Sequence, residues 1–255
     1  MINTPTLSNR LHHLVLMTCL VLFAATGCAD DKPAPKSTLP VPRTIEYSWM
    51  SVEQWQQKFA EDVEVARAGN VDLLFVGDSI TQGWTPSLWQ KYFAPYNAAN
   101  FGIGGDQTGN VLWRLQNGEI DKLNPKVVVL MVGINNFGLN NEGPDEVFQG
   151  VKAVVDTLRE AFPSAKILVN GIFPYQETAQ SPMRAPIIEA NKLIKTLDDG
   201  KQVFFRDYGH LMLQDDGSIS PDIMPDFLHP AEPGYQIWAE AMMPTLREWL
   251  EEDRP

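Results

Sequence analysis

The sequence predicts an α/β fold: a single domain of three layers, α/β/α, built on a parallel five-stranded sheet. Two observations carry that expectation. Short apolar runs, most fully apolar in 71–76 and 126–132, show no polar alternation, as in strands covered on both faces of a parallel sheet. Segments of helical periodicity separate such runs, and strands that alternate with helices join through right-handed crossovers. The length of 255 residues, with 44% hydrophobic and 20% charged content, suits one domain of ordinary size.

The elements follow in order. Residues 14–25 are mostly apolar and come after Arg10, too short a run to span a bilayer and placed as a signal-peptide core. The run ends in Ala25-Thr26-Gly27-Cys28, which resembles the lipobox of bacterial lipoproteins. Residues 1–27 are therefore expected to be a lipoprotein-type signal peptide, with lipid on Cys28 as the only link to a membrane. Ala29 after it resembles the export signal to the outer membrane; the alternative is a plain secreted protein. Residues 28–47, with Pro33, Pro35, Pro40 and Pro42, read as an extended tether of roughly 3 Å per residue, and 48–255 as the folded domain. Trp49, Trp55 and Phe59 recur at near-helical spacing up to Gly69-Asn70 and are assigned to packing. Strands are expected at 71–76, 98–101, 126–132, 165–169 and 202–205. Helices are expected at 86–93, around Val111, Leu112 and Leu115, and at 144–162, 187–197 and 234–250, with a loop at 171–182.

Charge and composition exclude several functions. The net charge is −12, and Arg10 is the only charge in residues 1–28, so the remainder carries −13. No basic patch could offset that for a nucleic-acid partner, and an anionic lipid surface would repel the domain. Cys19 and Cys28 both lie near the N-terminus, which leaves the body without a disulfide or thiolate chemistry. Gln107 stands where a dinucleotide fingerprint beginning at Gly102 needs glycine, and 77–83 lacks the lysine of a phosphate loop. No His/Cys cluster has metal spacing, so neither a metal nor a cofactor is expected.

The chemistry gathers at Gly77-Asp78-Ser79. A serine just past the carboxyl end of a central strand sits where open α/β sheets keep their ligand sites; the bland reading is a helix cap. A serine nucleophile needs a base, and beyond residue 28 only His210 and His229 exist. Each follows an aspartate by three residues, Asp207 and Asp226, so local pattern does not choose. Context favours His229, which lies in a loop before the last helix, whereas His210 is followed by apolar Leu211-Met212-Leu213.

Four blocks together resemble the SGNH (GDSL) hydrolase superfamily: Gly77-Asp78-Ser79, Asn100-Phe101-Gly102-Ile103-Gly104-Gly105-Asp106, Gly133-Ile134-Asn135-Asn136, and Asp226-x-x-His229. The second block, with Val111-Leu112-Trp113-Arg114-Leu115, is similar to the platelet-activating-factor acetylhydrolase IB catalytic-subunit branch. The resemblance implies Ser79 as nucleophile, His229 as base and Asp226 as its orienting acid. It implies an oxyanion hole made of the Ser79 and Gly105 N–H groups and the Asn135 side chain. Asn136 stands where many members carry Asp, a departure shared with the acetylhydrolase branch. Asp78 is expected to hold the turn, and the strand order to be the flavodoxin-like 2-1-3-4-5.

The expected activity is that of an extracytoplasmic serine esterase for short acyl chains, acetyl above all, on small-molecule or glycan esters. The loops at 102–108 and 133–141 are short and rich in Gly, Asn and Asp, which suggests a shallow polar site. Trp84 could stack on a sugar face or pack in the core. The alternatives are a phospholipid acetylhydrolase or lysophospholipase and, in another class, a catalytically inactive carbohydrate-binding lipoprotein.

Overall fold

The computed structural model describes Met1 and residues 34–251. The expected signal peptide, Cys28 and the first part of the tether lie outside the described residues. Five parallel strands form the sheet: β1 (Leu73–Gly77), β2 (Ala98–Gly102), β3 (Val127–Met131), β4 (Lys166–Asn170) and β5 (Val203–Arg206). Their order is β2-β1-β3-β4-β5, the order expected. Every residue of β1 and β3 is buried, because β1 pairs with both β2 and β3 while helices cover its faces.

The helices are α1 (Val52–Ala68), α2 (Ser79–Gln82), α3 (Pro86–Tyr92), α4 (Thr108–Asn117), α5 (Ile134–Asn140), α6 (Pro144–Ala161), α7 (Arg184–Ile194) and α8 (Glu232–Glu251). Ser51 starts α1 with a capping box: its hydroxyl accepts from Gln54 N at 3.1 Å, and Gln54 Oε1 accepts from Ser51 N at 2.8 Å. Gly69, at φ +65°, closes that helix as the sequence predicts. Two helices were not expected, α2 and α5, and both carry site residues. Helices α3 and α8 pack together, as do α4, α6 and α7. Right-handed crossovers out to β2 and back across β1 to β3 put these two groups on opposite faces.

The tether expectation requires correction. From Ala34 onward the chain belongs to the compact unit. A 3-10 turn at Lys36–Thr38 buries Ser37, whose carbonyl accepts from Thr108 Oγ1 at 2.7 Å. Val41 N donates to Gly109 O at 3.1 Å, and Asn110 Nδ2 donates to Val41 O at 3.0 Å. Gly109 permits this approach, since a Cβ there would lie 2.6 Å from Leu39 O. An extended segment presents free backbone groups, and the first turn of α4 takes them up.

Candidate active site

Strand β1 delivers Ser79 to the carboxyl end of the sheet, where a ligand site and a helix start fall together. Asp78 is the N-cap of α2, its Oδ1 accepting from Ile80 N at 3.0 Å, and Ser79 is the first residue of the helix. Asp78 is fully buried, and that burial pushes its carboxyl up to about 7. Ser79 Oγ lies 2.9 Å from His229 Nε2. His229 Nδ1 lies 2.7 Å from Asp226 Oδ2. With its Nδ1–H donating to the carboxylate, the imidazole turns the Nε2 lone pair toward the serine hydroxyl.

The His229 loop is shaped by its own aspartate. Asp226 Oδ1 accepts from His229 N at 2.7 Å and from Leu228 N at 3.0 Å, and Phe227 turns the chain with φ +58°. Burial alone would raise the Asp226 carboxyl. The hydrogen bonds from the His229 side chain and backbone outweigh it and hold the group below the ordinary carboxylate range. Tyr235, in the first turns of α8, donates its hydroxyl to Ile80 O at 2.8 Å. That bond ties the helix behind His229 to the helix that begins at Ser79. His210 sits elsewhere: it is exposed in a 3-10 turn, with Nδ1 3.0 Å from Asp207 O.

Gly105 and Asn135 line the same cavity as Ser79 and His229, a space of about 410 Å³. Gly105 adopts φ +73°, a left-handed conformation. Asn135 lies in the first turn of α5 and donates one Nδ2 hydrogen to Asp106 O at 3.0 Å, which leaves the other available. The Ser79 and Gly105 N–H groups have no acceptor among the described residues. Asn136 is buried, with Oδ1 accepting from Thr108 N at 3.0 Å and Nδ2 donating to Glu142 Oε2 at 2.7 Å. An amide suits that position because a carboxylate there would face the Glu142 carboxylate.

Of the two tryptophans near the site, Trp84 takes the packing role open to it, whereas Trp49 departs from the packing expected. Trp84 is only 6% exposed and packs against Phe93, Tyr235 and Trp238 with ring centroids 4.8 Å away, so it is core. Trp49 is 54% exposed, stacks on Tyr47 at 4.6 Å, and forms a wall of the cavity. The remaining walls also depart from the polar site expected, because Met50, Leu139 and Leu228 contribute apolar surface. Asp106 was not singled out as a site residue. It is fully buried behind Gly105 and accepts from Trp55 Nε1 (2.6 Å), Arg114 Nε (2.8 Å) and Arg43 Nη2 (3.3 Å). Among the described residues no group of three or more His, Cys, Asp or Glu side chains is placed to hold a metal ion.

A serine at the end of a central strand, within reach of a histidine that is itself bonded to an aspartate, has the arrangement of a serine hydrolase. The chain belongs to the GDSL-like Lipase/Acylhydrolase family, which matches residues 75–237, and it is a carboxylic ester hydrolase. It is 34% identical over 227 residues to platelet-activating factor acetylhydrolase IB subunit alpha1 of Bos taurus, covering 88% of this chain and 94% of that one. With subunit alpha2 of Gallus gallus the identity is 36% over 202 residues, 78% of this chain and 86% of the other. Among solved structures, a GDSL-like lipase from Bacteroides thetaiotaomicron superposes with a TM-score of 0.61 at 21% identity, covering 76% of this chain and 97% of that one. An acetyl-xylooligosaccharide esterase from Geobacillus stearothermophilus gives 0.55 at 20%, covering 71% and 95%. These last two likenesses are of fold.

Proposed function

We propose that the protein is an extracytoplasmic serine esterase that removes short acyl groups, acetyl above all, from carbohydrate hydroxyls. The observation that carries this reading is the hydrogen-bonded series Ser79–His229–Asp226 at the wall of a cavity beside Gly105 and Asn135. In this mechanism His229 Nε2 takes the Ser79 proton as Oγ attacks the ester carbonyl, and Asp226 steadies the resulting imidazolium. The Ser79 and Gly105 N–H groups and the free Asn135 Nδ2 hydrogen receive the oxyanion. Collapse of the tetrahedral adduct expels the alcohol, which takes the proton back from His229. Water, activated by the same histidine, then releases the acid.

A space walled by Trp49, Met50, Leu139 and Leu228 suits a small acyl group and the flat face of a sugar ring. The phospholipid reading stays in contention on one observation: the relatives at 34% and 36% identity are named platelet-activating factor acetylhydrolases. Both readings favour acetyl. A chain-length series on one leaving group checks it, with turnover expected to fall at least about tenfold from acetyl to octanoyl, some 1.4 kcal/mol at the transition state. A maximum at octanoyl or longer would remove the short-acyl reading. O-acetylated sugars assayed beside acetylated phospholipids then choose between the two alcohols.

Activity should rise with pH along one acid limb between about pH 5 and 8, since a histidine base must be neutral to accept a proton. Asp226 stays ionised throughout, because its folded-state value is depressed. Asp78 titrates in the same range, so the control is Asp78→Asn, which keeps the cap. The limb should persist in that variant; its disappearance would assign it to Asp78.

The envelope location rests on the sequence around Cys28. In a Gram-negative host the wild type is expected in the membrane fraction and Cys28→Ser in the soluble one. A wild type that partitions into the aqueous phase would remove the anchor.

A further inference from the structure

The turn that carries Gly105 has one peptide orientation in the structure, and a buried side chain bonds the carbonyl of that peptide. Asp106 N donates to Ile103 O at 3.1 Å, so residues 103–106 form a β-turn with Gly104 and Gly105 at its centre. The φ of +73° at Gly105 is that of the third residue of a type II turn. Rotating the central Gly104–Gly105 peptide by half a turn would give a type I turn with the same closing bond. Two glycines at the centre raise no steric objection to that flip. In the flipped form the Gly104 carbonyl would replace the Gly105 N–H at the cavity and repel the oxyanion.

We infer that Arg43 is a positioning residue of the oxyanion hole. Its Nη2 donates to Gly104 O at 2.7 Å. The carbonyl and N–H of a trans peptide point in opposite directions, so anchoring the first on Arg43 aims the Gly105 N–H away from it. Gln82 Oε1 accepts from Gly104 N at 2.7 Å and secures the preceding peptide. The guanidinium is buried beside Asp106 and below the rings of Tyr47 and Trp49, at 5.3 and 5.7 Å from their centroids. A cation on the carbonyl also polarises the peptide and makes the Gly105 N–H a stronger donor. Nη1 of the same side chain is buried without a partner among the described residues. Arg43 comes from the segment that the sequence presents as a tether.

The inference rests on the reading of Gly105 N–H as an oxyanion donor, and the test separates the two. Wild type, Ser79→Ala, Arg43→Lys and Arg43→Met are assayed on a short-chain aryl ester and titrated with an arylboronic acid, which forms a tetrahedral adduct on a reactive serine. Thermal unfolding is followed for each. Boronate inhibition of the wild type that vanishes in Ser79→Ala supports the site itself; its absence would overturn that reading. For Arg43→Met we expect kcat to fall about 10²-fold and boronate affinity to fall in step, with KM within about threefold. Arg43→Lys, which keeps a charged donor, should recover to within about tenfold of wild type. A folded Arg43→Met with near-wild-type kcat, or with its loss confined to KM or to kcat without boronate affinity, overturns the inference. If Arg43→Met does not fold, Arg43→Gln, which removes the charge, is judged by the same criteria: a loss of kcat and boronate affinity together supports the inference, and near-wild-type values refute it.

Discussion

Ser79→Ala and His229→Ala are each expected to lower turnover of a short-chain ester by about 10⁴-fold or more, with the fold intact. The size follows from the unit the three groups form: without the nucleophile or the base, only oxyanion stabilisation and binding remain. The fold should survive because α2 is capped by Asp78 rather than Ser79, and because the loop at His229 is fixed through the backbone by Asp226 Oδ1. Thermal midpoints should therefore move by no more than about 1 kcal/mol of stability implies. His210→Ala is the control and should keep most of the activity, since that ring bonds to Asp207 O and not to Ser79. Near-normal turnover in His229→Ala would contradict the assignment.

Asp106→Ala should be the most damaging change to stability. Its carboxylate, fully buried, faces two guanidiniums and an indole N–H, and alanine would leave Arg43 and Arg114 as buried charges short of a counterion. Removing one partner of such a group costs about 3–5 kcal/mol. Arg114 keeps Asp62 at 3.1 Å and the carbonyls of Gly77 and Phe101 at 3.2 and 2.9 Å, so the larger share of the damage falls on Arg43 and the Gly104 turn. The measurement is urea unfolding, with a lower midpoint at unchanged slope. A midpoint shift equivalent to less than about 1 kcal/mol would mean that the arginines reach water or other acceptors.

Much of this was legible in the residues themselves. The apolar runs located β1, β3 and β4, because strands buried on both faces carry the plainest signal, while the partly exposed edge strands β2 and β5 were placed on weaker patterns. The two-histidine count isolated His229 once context was weighed. Helix α5 escaped because Asn135, Asn136 and Gly138 are poor helix formers; Asn136 is instead fixed by Thr108 and Glu142, which no local pattern reveals. Trp49 had a readable signal that near-helical spacing overrode. Ser51-x-x-Gln54 is a capping box, so the helix begins at Val52 and Trp49 lies before it, free to turn toward the cavity. The segment with Pro35, Pro40 and Pro42 misled for a different reason: composition reports that a chain is extended, not whether a helix terminus waits to bond it. Arg43 was invisible for the same reason, its role depending on one carbonyl 61 positions away.

The central claim is that Ser79 carries the acyl group. The most direct measurement is mass spectrometry of the protein quenched in acid during turnover of an activated acetyl ester, followed by peptide mapping. One acetyl group on the peptide containing Ser79, absent in Ser79→Ala, is the predicted result. Acetyl found on another residue at catalytic rates, or turnover with no acylated intermediate under conditions where deacylation is slow, would contradict it.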